Sequence, residues 1–394
     1  MTPIRLIAAF CIAELLAMTS FATFPALTPY FFETWRLSGT EAGWINGLFF
    51  MGFTIFGLLA PTLADRIDAR RIVLFGYFLA TIGAYGFAFE ARDFWSALPW
   101  RFISGAGLAC SYMPGLKMLT DRLPDTAQSR GIAFYTACFS AGAATSFLLV
   151  GQINTWIGAD AALIGVIVGP PIALMLMFMV TTPVIHQHPR PWRQLFNFKP
   201  VLRNRKTMGF VIAYFCHSWE LMAMRSFAVA FLTFAQSRSA APAWMDVSII
   251  ATVVMFMGLP SSVLGNELSR KIGRQRAISL IMLVSFAVSV LLGFSTDWSF
   301  MLVAALAVLY GIVVTADSSS ITSGTVMSAP PDLKGSTMAV HSFIGFGGAM
   351  MGPVVAGMVL DAAGGYQNAL AWGLTYLSMG AVALIGPFVM RMTR

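Results

Sequence analysis

The sequence predicts an all-α membrane protein: twelve transmembrane helices in two pseudo-symmetric six-helix bundles around a central cavity. Three observations carry that reading. The chain is 57% hydrophobic and only 11% charged, whereas a soluble globular chain carries about 25% charged residues. Apolar runs recur along its whole length, each long enough to cross a ~30 Å hydrocarbon core with about 20 helical residues. One phrase also occurs twice. "AELLAMTSFAT" from Ala13 and "WELMAMRSFAV" from Trp219 align Glu14 with Glu220, Leu15 with Leu221, Ala17 with Ala223 and Phe21 with Phe227, an offset of 206.

Taken in order, helices are expected near 4–32, 42–62, 72–90, 94–118, 131–151 and 159–181, then near 208–234, 244–264, 277–294, 299–327, 336–360 and 368–390. The first run begins like a signal peptide after Arg5. Glu14 interrupts its core, however, and the apolar character continues to Phe32, beyond the roughly 7–15 residues of a signal core. It is read as the first membrane helix. The basic, Pro-rich stretch 182–206 is the one long connection, separating an N-terminal bundle 1–181 from a C-terminal bundle 207–394. A second echo supports the duplication: "LADRIDARR" (Leu63–Arg71) aligns with "LSRKIGRQR" (Leu268–Arg276) at an offset of 205. Parallel six-helix repeats of this kind are a transporter architecture.

Orientation follows from the basic residues. Arg5, Arg66–Arg71, Lys117–Arg130, the 190–206 stretch, Arg270–Arg276, Lys334 and the C-terminal arginines share one side, while the opposite side holds only Arg36, Arg92 and Arg238. Both termini and the linker are therefore expected in the cytoplasm. The same bias accounts for the net charge of +8 without a nucleic-acid partner. Cys11, Cys110, Cys138 and Cys216 all fall inside apolar runs and read as small buried hydrophobes. No metal-ligand spacing, cofactor motif or phosphate-binding loop is present, so direct ATP use is unsupported.

At the level of motifs the chain resembles the major facilitator superfamily over essentially its full length. The loop "PTLADRIDARR" fits that family's signature between helices two and three through Asp65, Arg66, Arg70 and Arg71, with Pro61 and Asp68 where glycines are usual. The C-half copy keeps Lys271, Gly273 and Arg276 but has Arg270 in place of the acid. "RFISGAG" in helix four fits through Arg101, Gly105 and Gly107. The resemblance implies alternating access and a cytoplasmic latch. Asp65 would sit near the start of helix eleven, around Gly335–Thr337, and the loop arginines would engage Asp121 or Asp125. Helix five lacks the Gly-Pro pair of the family's drug/proton antiporters, and helices two and eight lack the arginines of its nitrate porters.

The site residues are the polar ones in apolar runs. Glu14 and Glu220 lie ~15 Å deep at 1.5 Å per residue, where a bare carboxylate either takes a proton or finds a cation. With Asp317 they are the candidate proton-coupling groups. The resembled family packs helices one and four around the cavity, which makes Arg101 the expected cation for Glu14. His217 and Glu220 share a helical face, whereas Arg225 stands about 140° from Glu220 and addresses the cavity, another helix or the outer end of the bundle. Asp317, flanked by Ser318, Ser319 and Ser320, could hold a proton, a substrate amine or Arg225. Arg101, His217, Arg225 and His341 are the candidate substrate contacts, though His341 would equally serve as a structural imidazole. Gly105, Gly107, Gly345, Gly347, Gly348, Gly352 and Gly357, with Pro353, let helices approach closely. No unwound membrane helix is evident, which argues against sodium as the coupling ion.

The resulting expectation is a secondary active transporter, not an enzyme, acting as a monomer in a bacterial inner membrane. It would couple protons to a small organic anion by symport. The rival reading is a proton-driven efflux pump for lipophilic cations.

Overall fold

The computed structural model describes residues 2–64, 66–183, 198–239, 241–242, 244–330 and 333–393. Most of the expected linker, 182–206, lies outside them. All regular secondary structure among the described residues is helical, with no strand. Ten helical segments are long and apolar enough to cross a membrane. Two further long helices, Phe94–Thr120 and Arg205–Ser237, bury Arg101 and the Glu220–Arg225 phrase. The twelve expected spans are thereby accounted for. Contacts divide the chain into two compact units, Met1–Ala26 with Leu48–Phe196, and Leu27–Gly47 with Asn197–Arg394.

Helix starts follow local capping chemistry. Asp68 accepts from the Arg70 N–H at 3.0 Å, Asn204 from Thr207 at 3.2 Å and Asp246 from Ser248 at 2.7 Å. Asp93 and Ser96 form a reciprocal box at the start of Phe94–Thr120.

Several spans are broken where continuous helices were expected. The first runs as Pro3–Ala17, a 3₁₀ turn at Met18–Ser20, then Thr23–Ala26 and Thr28–Thr34. Pro25 and Pro29 remove two ladder donors. Thr19 and Thr23 turn their hydroxyls onto the carbonyls of Leu16 (2.9 Å) and Ser20 (2.6 Å). The break therefore sits inside the duplicated phrase, and the expectation of unbroken membrane helices is corrected. Its exposed backbone groups are met by protein. Ser146 Oγ accepts from the Ala22 N–H at 2.9 Å and donates to the Thr19 carbonyl at 2.6 Å. The sixth span is interrupted between Ala159–Val166 and Gly169–Val180, and Thr19 Oγ1 also lies 2.9 Å from the Val166 carbonyl. The tenth is interrupted at Asp317, between Phe300–Ala316 and Ser318–Ser328.

Glycine sets the closest approaches. In the first unit a Cβ on Gly105 would run into the Phe49 carbonyl, and one on Gly107 would come within 2.5 Å of the Ala80 nitrogen. In the second unit Gly348 faces the Phe215 carbonyl, Gly352 the Trp219 carbonyl, and Pro353 the helix position of Gly43. Gly347 departs from the expected close packing, with open space where a Cβ would stand.

Candidate functional site

In the first unit Glu14 is fully buried. Its Oε2 lies 3.2 Å from the Tyr135 hydroxyl, which also faces the carbonyls of Tyr112 at 3.2 Å and Ser111 at 3.4 Å. Its Oε1 is buried with no hydrogen-bond partner. The expected pairing with Arg101 is not formed. That guanidinium lies over the rings of Phe49 (4.6 Å to the centroid) and Phe87 (5.8 Å), and its Nε has no hydrogen-bond partner. Two aromatic faces offset part of the desolvation of the cation, and among the described residues no carboxylate reaches it. A cavity of about 20 Å³, with room for about one water, opens at the helix-one break among Ser20, Ser104, Ser111, Met18 and Phe49.

In the second unit Glu220 is buried and its Oε1 accepts from Ser285 Oγ at 2.8 Å and from the Tyr310 hydroxyl at 3.0 Å. His217, one turn earlier, does not join it. Its Nδ1 lies 2.7 Å from Asp317 Oδ1, a contact without hydrogen-bond direction. Asp317 thus faces His217 and not Arg225. Arg225 is buried with an unpartnered Nε; it does not meet Glu220, as their angular separation along the helix requires, and it does not pair with Asp317. The serines after Asp317 do not form a polar wall around it. Ser319 bonds Ser262 at 2.5 Å and Ser320 bonds Ser269 at 2.6 Å, stapling Ser318–Ser328 to Gly258–Ile272. His341 stacks on Tyr214 with centroids 3.9 Å apart and ring planes 16° from parallel.

The loop between the second and third spans departs from the expected latch at Arg70. Asp65 lies outside the described residues. Arg70 engages neither Asp121 nor Asp125. Its Nε reaches the Thr181 carbonyl at 2.9 Å and its Nη2 the Phe178 carbonyl at 3.1 Å, covering the C-terminal end of Gly169–Val180, where a cation is favoured. Asp121 pairs with Lys117 at 3.0 Å, and Asp125 accepts from Gln128 at 3.2 Å. Asp68, which stands where the family has glycine, caps its own helix and lies 3.7 Å from Arg122. Burial lowers the Arg122 guanidinium from its ordinary value, opposed by Asp68 and Asp121. Arg66 occupies the following turn, while Arg71, Lys271 and Arg276 are exposed.

Sequence reasoning missed the carboxylates' hydroxyl partners Tyr135, Tyr310 and Ser285, the break-filling Ser146, and Asp361. Asp361 accepts from the Gly39 N–H at 2.7 Å, the Thr40 N–H at 2.8 Å and Thr40 Oγ1 at 2.5 Å, capping a helix more than 300 positions earlier in the chain. An acid ending an apolar helix was a visible signal. Its partner was not.

Apolar spans along the chain, with a buried carboxylate repeated in each half, describe a multi-pass membrane protein. Residues 9–353 match the Major Facilitator Superfamily, and the chain belongs to that family. An uncharacterised MFS-type transporter of Yersinia enterocolitica, YE1530, is 27% identical over 143 residues, or 36% of this chain and 37% of the relative. YcaD of Escherichia coli, also uncharacterised, matches to the same extent. The chain thus spans little more than a third of the length of these relatives. The fold is similar to that of the nucleoside transporter NupG (TM-score 0.77, 16% identity, 99% of each chain). It is also similar to the POT family transporter PepTSo (0.78, 14%, 99% of this chain and 97% of that one). A bacterial Spinster homologue, inward-facing and unoccupied, aligns at 0.75 with 16% identity over 99% of this chain and 97% of that one.

Proposed function

We propose that the protein is a proton-coupled secondary active transporter that moves a small organic anion by symport and alternating access, as a monomer in a bacterial inner membrane with both termini cytoplasmic. The observation that carries the reading is a mismatch of buried charge. Among the described residues Glu14 and Glu220 are buried against hydroxyls and pair with no cation, while Arg101 and Arg225 are buried with unpartnered Nε atoms and pair with no carboxylate. A buried carboxyl without a cation is best accommodated as the acid, and a buried guanidinium without a carboxylate awaits an anion. Asp317, facing His217, is a third group able to exchange a proton. Largely exposed Trp95, Trp156 and Trp244, at helix ends assigned to the outer side, fit an interfacial belt.

The test is uptake of labelled carboxylates into proteoliposomes under an imposed inward proton gradient. Glu220→Gln keeps an acceptor oxygen for Ser285 and Tyr310, so the protein should fold and bind solute yet lose gradient-driven accumulation. Arg101→Ala and Arg225→Ala should each weaken anion binding by at least about tenfold. Anion binding unchanged in both arginine variants, or accumulation intact in Glu220→Gln, would overturn the reading.

A further inference from the structure

Within the first unit, the helix Pro3–Ala17 of the first span and the fifth span, Asp125–Trp156, pack in a fixed register. A Cβ on Gly131 would lie 3.6 Å from Ile7, one on Gly142 would lie 2.9 Å from Met18, and the Ser146 hydroxyl meets the Ala22 N–H at 2.9 Å. Each of these pairs is 124 positions apart, so the two spans run in the same direction. The same offset sets Cys11 level with Tyr135 and Glu14 level with Cys138. Both diagonals of that square are closed. Glu14 meets the Tyr135 hydroxyl at 3.2 Å, and the side chains of Cys11 and Cys138 form a thiol–thiol hydrogen bond. Cys110 and Cys216 behave as small hydrophobes, each buried in an apolar cluster. Cys11 and Cys138 depart from that expectation, because two free thiols from different spans face each other. They also differ in access. Cys11 is partly exposed, beside the exposed Ala8 and Ile12, whereas Cys138 is buried.

We propose that Cys11 and Cys138 are a site of oxidative modification, in which an organic hydroperoxide oxidises Cys11 and Cys138 resolves the product to a disulfide between the first and fifth spans. The Cys11 sulfur attacks the O–O bond and keeps one oxygen as a sulfenic acid, while its thiol proton leaves on the other oxygen as the alcohol. The Cys138 sulfur then displaces the sulfenic oxygen, which departs with the Cys138 proton as water. Two thiols and one hydroperoxide thus give one disulfide, one alcohol and one water. From hydrogen-bonding contact, side-chain rotation and a slight approach of the helices bring the sulfurs to bonding distance, about 2.05 Å. The surroundings select the oxidant. Cys11 lies about 12 Å along its helix from Pro3, at 1.5 Å per residue, within an apolar span. A hydroperoxide carried on an acyl chain dissolves there, whereas a charged thiol reductant does not, so the bridge persists where a disulfide facing the cytosol would be reduced. The bridge crosses the Glu14–Tyr135 contact. Oxidation therefore staples the part of the first span before its break to the fifth span, and holds Glu14 against Tyr135 whatever solute is carried.

The experiment treats the full-length protein in nanodiscs with cumene hydroperoxide and maps the state of each cysteine by peptide mass spectrometry. The expected product is a peptide pair linked through Cys11 and Cys138 and released by dithiothreitol, with Cys110 and Cys216 still open to alkylation once the protein is denatured. Cys138→Ser should leave Cys11 as a sulfenic acid, captured by dimedone at least about tenfold more than in the unmodified protein, where Cys138 removes it. Cys11→Ser should leave Cys138 reduced, because burial keeps the oxidant from it. The linked protein should resist denaturant to a higher concentration than its dithiothreitol-reduced form, as a bridge between distant positions requires. The link is read on the unmodified protein, so the pairing is tested even where a variant does not fold. Four unreacted thiols, Cys11 carried on to sulfinic acid without a link, or a Cys11–Cys11 link between two copies would each overturn the pairing. Dimedone capture at Cys138 in Cys11→Ser equal to that at Cys11 in Cys138→Ser would overturn the order of the two thiols, and a linked protein no more resistant than the reduced one would overturn the staple.

Discussion

Replacing Ser146 by alanine removes one oxygen from the interior of the first unit and leaves two backbone groups of the broken first helix without partners. The Ser146 hydroxyl is fully buried, accepting from Ala22 at 2.9 Å and donating to Thr19 at 2.6 Å. A buried polar group left unmet costs about 1–3 kcal/mol, so the two together give about 2–6 kcal/mol. Relaxation does not readily recover this. Pro25 denies the break a regular ladder, and the Met18 carbonyl already accepts from Phe21 at 2.9 Å. The vacated space is that of a single hydroxyl, smaller than a water's share of liquid volume, about 30 Å³. The assay is denaturant unfolding of the full chain in mild detergent, with Thr136→Ala as control. The Thr136 hydroxyl is exposed and bonds only carbonyls of its own helix, at 2.8 and 3.2 Å, so its loss should stay within about 0.5 kcal/mol. A Ser146→Ala protein that unfolds with the control would refute the view that this hydroxyl holds the break open.

Gly105→Ala should lower stability by more than about 3 kcal/mol or abolish folding, since its Cβ meets the Phe49 carbonyl. Gly347→Ala, with open space at that position, should melt like the unmodified protein, and similar losses for both would discredit the close-approach argument. Asp361→Ala should weaken the start of Gly39–Ala64 by about 1–2 kcal/mol, read as faster amide exchange at Gly39 and Thr40; unchanged exchange would show the cap to be idle. At the other end of the charge scale, the Ser96 hydroxyl and N–H hold the Asp93 carboxyl below its usual range. Its contribution is present above the unfolded-state pKa and disappears as pH falls through the lower folded value. Amide exchange at Ser96 should therefore stay slow into mildly acidic conditions in the native protein and be fast throughout in Asp93→Ala.

The spans were legible because a membrane imposes them: backbone groups must be met within helices, so long apolar runs report directly on where the chain crosses. Glu14 and Glu220 were legible for the same reason, as anomalies in a hydrocarbon-like background. Their partners were not. Tyr135, Tyr310 and Ser285 look like any other side chains of an apolar helix, and only tertiary packing aims their hydroxyls at a carboxylate. Breaks were missed because a β-branched hydroxyl residue and a proline each tolerate helix individually. Thr19, Thr23 and Pro25 act together only once Ser146 from another span fills the gap.

The duplicated phrase is therefore a duplication of position more than of chemistry. The offset of 206 that superposes Glu14 on Glu220 carries Tyr135 onto His341 and Tyr310 back onto Ser104. Yet Glu220 draws its hydroxyls from Ser285 and Tyr310, and His341 is turned to Thr325 and Tyr214. The consequence is a difference in proton supply. On Glu220 two hydroxyl protons converge on one oxygen. At Glu14 one hydroxyl proton faces three acceptors, the carboxyl and the carbonyls of Ser111 and Tyr112. A hydroxyl can donate once, so the first site is short of a proton that the second already has. If Glu14 is the acid, it donates to Tyr135 and the Tyr135 proton passes to one of the two carbonyls, so the shortage falls by one. That arrangement makes Glu14 the carboxyl whose surroundings most depend on proton loading, although the repeated sequence treats the two glutamates as equals.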